Sequence, residues 1–180
     1  MKTGKLLIMK LKSTSVKYTL LLLVLFVSFG QLQSRENIKW YPFDEGLKLS
    51  ANINKPVLIF FYSDLCAYCN KMEDESFSDG KIVSRLNKSY VPVKLNVDIE
   101  SKSIKYNNRM ISSRDLFFMF NGSVLPFIVF LEGGSIITSV PGFLEKRIFQ
   151  PLLEYINVRC YDKKVSFEDY INKRDLCKGT

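Results

Sequence analysis

The sequence predicts an α/β protein: a central mixed sheet of four to five strands flanked by helices, with a C-terminal helical extension. Three observations predict it. Val57 to Tyr62, Tyr90 to Val97 and Phe127 to Leu131 are apolar, β-branched and aromatic runs of strand length. Segments with helical periodicity separate them, so the first two strands are parallel with a right-handed crossover. Gly133-Gly134 then offers a hairpin turn, so Ser135 to Val140 returns as an antiparallel strand.

Taken in order, residues 31–55 are polar and mixed, with Trp40, Tyr41 and Phe43 as isolated anchors and a short helix over Asp44 to Leu49. Asn54-Lys55-Pro56 breaks the chain before the first strand, VLIFFY. Cys66-Ala67-Tyr68-Cys69 follows that strand directly. Asn70 to Glu75 is rich in helix formers, and Ser78-Asp79-Gly80 restarts a helix through Lys88 with Ile82, Val83 and Leu86 on one face. Residues 99–111 are polar and read as loop. Ser112 to Asp115 has capping-box character before Leu116 to Phe120, and Asn121-Gly122 ends that helix. Phe117, Phe118 and Phe120 read as packing residues. Leu144 to Val158 is helical, and Pro151 should kink or split it. Ser166 to Asp169 caps a last short helix.

Composition narrows the function. Lys and Arg total 26 against 18 Asp and Glu, a net charge of +8. Lys2, Lys5, Lys10, Lys12 and Lys17 supply much of it. Without them 21 basic residues face 18 acidic, a net of +3 and an ordinary soluble surface. The other lysines alternate with acids, so no nucleic-acid partner is expected. The chain has no histidine, which excludes His-based zinc sites, Ser-His-Asp triads and Cys-His proteases.

Residues 1–30 have the three parts of a secretory signal: a lysine-bearing start, the apolar run Tyr18 to Phe29, and small Ser28 and Gly30 at cleavage positions. Met9 opens a more compact version of it. A membrane span needs about 20 apolar residues, more than this run supplies. The expected product is exported and periplasmic; the alternative is an inner-membrane anchor over residues 18–29. The domain then spans residues 38–158, and 159–180 form the extension.

The chemistry centres on Cys66 and Cys69. A strand end delivers Cys66 to the sheet rim at a helix start, where unpaired amides favour a thiolate. Cys69 lies one turn further on, shielded. Cys66 therefore attacks a disulfide, and Cys69 resolves the mixed disulfide. A static bridge or half a zinc knuckle is the alternative, but Cys160 and Cys177 do not form a second CxxC, so no metal is expected. Cys160 and Cys177 are an even pair in an exported tail. A structural disulfide is the leading reading, with a second redox relay or free thiols as alternatives. Pro126 stands at the start of the third strand, in a loop that this order of elements places against the CxxC helix start; merely opening the strand is the plainer reading.

Strand-CxxC-helix, the segment VPVKLNVD, the proline loop VLPF and FIVFLEGG together resemble the thioredoxin superfamily over roughly residues 38–172. Residues 60–98 resemble its SoxW-like, thioredoxin-related exported bacterial branch, as does Pro141-Gly142-Phe143-Leu144 to Tyr155. The resemblance implies a thioredoxin fold and thiol–disulfide exchange with protein substrates. It assigns Cys66 as nucleophile, Cys69 as resolving thiol and Pro126 as a cis-proline. Leu125, Tyr68 and Leu65 become the substrate-contacting positions, with the backbone of Leu125 pairing with substrate. The redox pair itself is the only cofactor implied. A membrane electron donor of the thiol-reductase type and a monomeric state complete the expectation. The sequence also departs from the superfamily. Leu65 stands where tryptophan is usual, and Phe60 where a buried aspartate is usual. Lys94 matches the lysine that accompanies that aspartate, so proton transfer runs through Lys94, Glu73 or water. The rival reading from another class is a chaperone-like or metal-delivery binding module without redox turnover.

Overall fold

The computed structural model describes residues 36–177 apart from 102 and 107. The signal or anchor of residues 1–30, its possible start at Met9, and the last three residues lie outside the described part.

Helix α1 (Phe43–Ile53) starts after Pro42 and ends at Asn54, whose left-handed conformation (φ 52°) closes it. Strand β1 (Val57–Tyr62) follows, buried on both faces through Phe61. Helix α2 (Ala67–Lys71) runs into a π-helical turn, Met72–Ser76, and α3 (Gly80–Ser89) comes after it. Asp79 caps α3 by accepting from the amides of Lys81 and Ile82. Strand β2 (Val91–Asn96) leads to a small hairpin, β3 (Ile104–Tyr106) and β4 (Arg109–Ile111). Helix α4 (Ser113–Met119) has the full capping box, Ser112 with Asp115. Strands β5 (Phe127–Glu132) and β6 (Ser135–Pro141) form a hairpin, and α5 (Lys146–Asn157) follows. A 3₁₀ turn (Cys160–Lys163), helix α6 (Phe167–Asn172) and a second 3₁₀ turn (Arg174–Cys177) complete the extension.

The main sheet has the order β2-β1-β5-β6. β1 is parallel to β2 and antiparallel to β5, and β6 is antiparallel to β5. This is the mixed α/β architecture expected from the sequence. Its strands bury alternate residues on two faces. Leu58, Phe60, Ile128 and Phe130 face α3, α5 and the extension. Ile59, Phe61, Val93 and Val129 face α1 and α4. β2 is an edge strand, which accommodates Pro92 and its missing donor. Tyr41 binds alongside, its amide donating to the Pro92 carbonyl at 2.9 Å.

Three local readings change. Residues 104–111, read as loop, form the β3–β4 hairpin with Asn108 at φ 62° and Ile104 buried. Helix α5 runs unbroken through Pro151. Pro151 is buried among Phe149, Leu152 and Leu153, and tertiary packing outweighs one missing backbone hydrogen bond. Phe117 and Phe120 are core, but Phe118 is 61% exposed.

Candidate functional site

The loop 63–65 brings Cys66 off the end of β1. Ser63 and Asp64 tie that loop to the end of β2. The Ser63 hydroxyl donates to Asp98 Oδ2 at 2.6 Å and accepts from the Leu65 amide at 3.2 Å. The Asn96 side-chain amide donates to Asp64 Oδ2 at 2.8 Å, and Asn96 Oδ1 accepts from the Asp98 amide at 2.8 Å. This brace was not anticipated from the sequence. Its only trace there is the pair Ser63-Asp64 just before the cysteines and Asn96-Val97-Asp98 just after a strand.

Cys66 is the N-cap of α2. Its amide donates to the Ser63 carbonyl at 3.1 Å, and its Sγ accepts from the Cys69 amide at 3.1 Å. Cys66 and Cys69 are disulfide-bonded, with Cα atoms 5.2 Å apart. The two sulfurs differ in access. Cys66 is half-buried, whereas Cys69 is fully buried in the core beneath α2. Leu65 is 95% and Tyr68 62% exposed, so two large apolar side chains flank the accessible sulfur.

The Leu125–Pro126 peptide bond is cis. Phe61 pairs with Phe127, so β1 ends and β5 begins at the same end of the sheet, the one from which Cys66 emerges. Leu125 is half-buried and Pro126 buried, and Cys66 and Leu125 both pack on the same core cluster. The Pro126 carbonyl accepts from the Gly142 amide at 2.7 Å, with Gly142 at φ 81°, a conformation suited to glycine.

Lys94 occupies the register position opposite Phe60. Its Nζ lies 2.8 Å from Glu73 Oε2 and 4.3 Å from the centroid of the Tyr62 ring. Glu73 belongs to the π-helical turn that continues the cysteine-bearing helix. Phe60 itself is sealed by aromatic rings, stacked on Tyr62 and edge-on to Phe77.

Cys160 and Cys177 are joined by a second disulfide. The structure does not bring this pair to the first. Arg159 and Tyr161, on either side of Cys160, both bind Glu132, the last residue of β5, whereas Pro126 precedes its first. Cys160 is fully buried and Cys177 nearly so. Among the described residues no group of His, Cys, Asp and Glu is placed to hold a metal ion.

A mixed sheet whose first strand leads into a helix-capping, half-accessible disulfide of CxxC spacing defines a protein with a thiol–disulfide exchange type of site. The chain matches the thioredoxin-like domain family over residues 43–157 and belongs to that family. A relative from Archaeoglobus fulgidus, an uncharacterized protein, is 32% identical over 73 residues, 41% of this chain. That match spans 56% of the relative's own length. Among solved structures, a thioredoxin from Thermus thermophilus superposes with a TM-score of 0.58 at 22% identity, covering 72% of this chain and 94% of the other. A thioredoxin-fold protein from Helicobacter pylori gives 0.56 at 21% identity, over 70% and 84% of the two chains. A structure described as DsbH oxidoreductase gives 0.52 at 18% identity, over 76% and 91%. Identities this low establish the fold. Among the described residues, no helix is long and apolar enough to cross a membrane.

Proposed function

We propose that this chain is an exported, periplasmic thiol–disulfide oxidoreductase that reduces protein disulfides through Cys66 and Cys69. The asymmetry of the pair carries the reading: Cys66 caps a helix and is accessible, and Cys69 is buried behind it. In the reduced protein, the Cys69 amide that meets Cys66 Sγ stabilises a thiolate at Cys66. That thiolate attacks a client disulfide, forming a Cys66–client bond and releasing the first client sulfur as a thiolate that takes up a proton. Cys69 then loses its proton and attacks Cys66 Sγ. The second client thiolate leaves, and the Cys66–Cys69 disulfide re-forms with two electrons passed to the client. Lys94 and Glu73, paired with each other across the turn that follows Cys69, are the groups through which that proton leaves.

The backbone of Leu125 pairs with an extended client segment, and Leu65 and Tyr68 give it apolar contact. Main-chain pairing carries little sequence information, so the protein acts on many clients. The pair needs no other cofactor. A membrane donor of the thiol-reductase type returns two electrons to it, and the protein works as a monomer. The SoxW-like character of residues 60–98 and the signal pattern of residues 1–30 support the exported assignment. Cys160–Cys177 serves as a structural clasp.

Insulin reduction with dithiothreitol as donor tests this. Cys66→Ser should abolish turnover, and Cys69→Ser should accumulate client adducts on Cys66. Normal turnover by Cys69→Ser would overturn the two-cysteine mechanism. No turnover by the parent protein would favour the binding-module reading.

A further inference from the structure

Helices α3 and α5 cover the same face of the sheet, and a groove of about 670 Å³ runs between them. Its floor is apolar, from buried Ile82, Pro151 and Leu153. Its rim is basic. Lys81, Arg85 and Lys88 line it from α3, Arg147 from α5, and Arg174 from the extension. Among the described residues Glu154 is the one carboxylate in the lining, held by Arg174 at 3.2 Å, and Arg147 is paired with Glu145 at 2.6 Å. Among the described residues Lys81, Arg85 and Lys88 enter no ion pair. Arg85 is half-buried, its stem packed along the groove.

The lining also says which anion fits. Among the described residues no aromatic side chain lines the groove, which leaves no platform there for stacking nucleobases. The amides of Lys81 and Ile82 at the start of α3 donate to Asp79 Oδ1, at 3.0 and 3.2 Å, and are not available as a phosphate cradle. What remains is a row of flexible cations along one helical face. Their rise along α3 is about 6 Å from Lys81 to Arg85 and about 4.5 Å from Arg85 to Lys88. Alternate side chains of an extended strand lie about 6.7 Å apart. Lysine and arginine side chains absorb that difference easily. Asn157 on the opposite wall offers an amide group to a peptide backbone, and Gln150 already donates to Asp79 Oδ1 at 3.1 Å.

We propose that this groove docks an extended acidic segment of a partner protein, with alternate Asp or Glu side chains against Lys81, Arg85 and Lys88. Cys66, Cys69, Leu125 and Pro126 take no part in the lining, so a docked partner leaves the disulfide free. The site does not depend on a redox role for the protein.

The test titrates a fluorescent peptide of about eight residues, alternating Asp and Ala, into the full-length protein at about 0.01 M salt. Binding should weaken about tenfold or more in Lys81→Gln/Arg85→Gln/Lys88→Gln. It should change less than about twofold in Lys48→Gln/Lys105→Gln/Lys164→Gln, which removes equal charge outside the groove. Amide shifts of the unaltered protein, which need no variant, should move on residues 80–89 and 146–157. Equal weakening in both variants, absent binding or shifts confined elsewhere would overturn the proposal. So would preferential, groove-dependent binding of inorganic phosphate, phosphatidylglycerol vesicles or an oligothymidylate over the peptide.

Discussion

Replacing Cys160 and Cys177 by alanine should destabilise the protein by about 3 kcal/mol and leave disulfide exchange untouched. The two cysteines are 17 residues apart. In the chain-entropy description, cross-linking a loop of that length removes about 10 cal/mol/K from the unfolded ensemble, or about 3 kcal/mol at 25 °C. The loop is not an independent appendage. Tyr155 of α5 packs on Tyr161, Phe167 and Tyr170 of the extension, with ring centroids 6.5, 5.5 and 5.4 Å away. Cys160, Tyr170 and Cys177 share a core cluster with Phe60 and Phe130 of the sheet. Loss of the clasp is therefore felt by the whole domain. Urea unfolding of the double variant, with Cys66–Cys69 intact, measures it. The midpoint should fall, the slope with denaturant should rise slightly because the unlinked unfolded chain exposes more surface, and Tm should drop by about 10 °C. Insulin reduction should proceed at the parent rate, because the clasp lies at the other end of β5 from Pro126. A loss under about 1 kcal/mol would refute the coupling between extension and domain. A fall in exchange rate at unchanged fold would refute the structural assignment and make the second pair a relay.

Three further outcomes are expected. After reduction, iodoacetamide at mildly acidic pH should label Cys66 before Cys69, because only Cys66 has access to solvent; peptide mapping that finds Cys69 labelled first would reverse their roles. Gly122→Ala should cost about 1–3 kcal/mol in chemical unfolding, since the added Cβ would lie 2.3 Å from the Phe117 ring, itself wedged against Phe61 and Phe127; a cost near zero would mean that this aromatic cluster yields freely. Burial, then the hydrogen bond to Glu132, pushes the Tyr161 hydroxyl up to about 12, so its contribution to stability is complete below pH 10 and lost as pH rises towards 12. Urea midpoints of the parent should therefore fall more steeply between pH 9 and 11.5 than those of Tyr161→Phe, and parallel curves would discard the linkage.

Much of the candidate site was legible locally. VLIFFY is apolar at every position but its last, which only a strand covered on both faces can satisfy. A cysteine pair three residues apart just beyond such a strand has one natural seat, the first turn of the next helix. The π-helical turn Met72–Ser76 was not legible. It depends on distant groups, among them the Ser76 hydroxyl donating to the Leu144 carbonyl at 2.7 Å in the core. The brace from Ser63 and Asp64 to Asn96 and Asp98 was equally hidden, because it joins residues 32 and 35 apart.

The sequence by itself determined the succession of strands and helices implied by its apolar runs, the CxxC placement, and the exclusion of histidine chemistry. These follow from residue type and spacing, which act over a few bonds. Placement at a helix start already implied an accessible Cys66 and a shielded Cys69; only the tertiary structure supplied the packing that buries Cys69 fully. It also decided that Pro151 continues a helix, and that lysines scattered among acids along the chain converge on one groove. Charge along a sequence is an average over directions. A helix sorts it by face, and α3 turns Lys81, Arg85 and Lys88 towards α5.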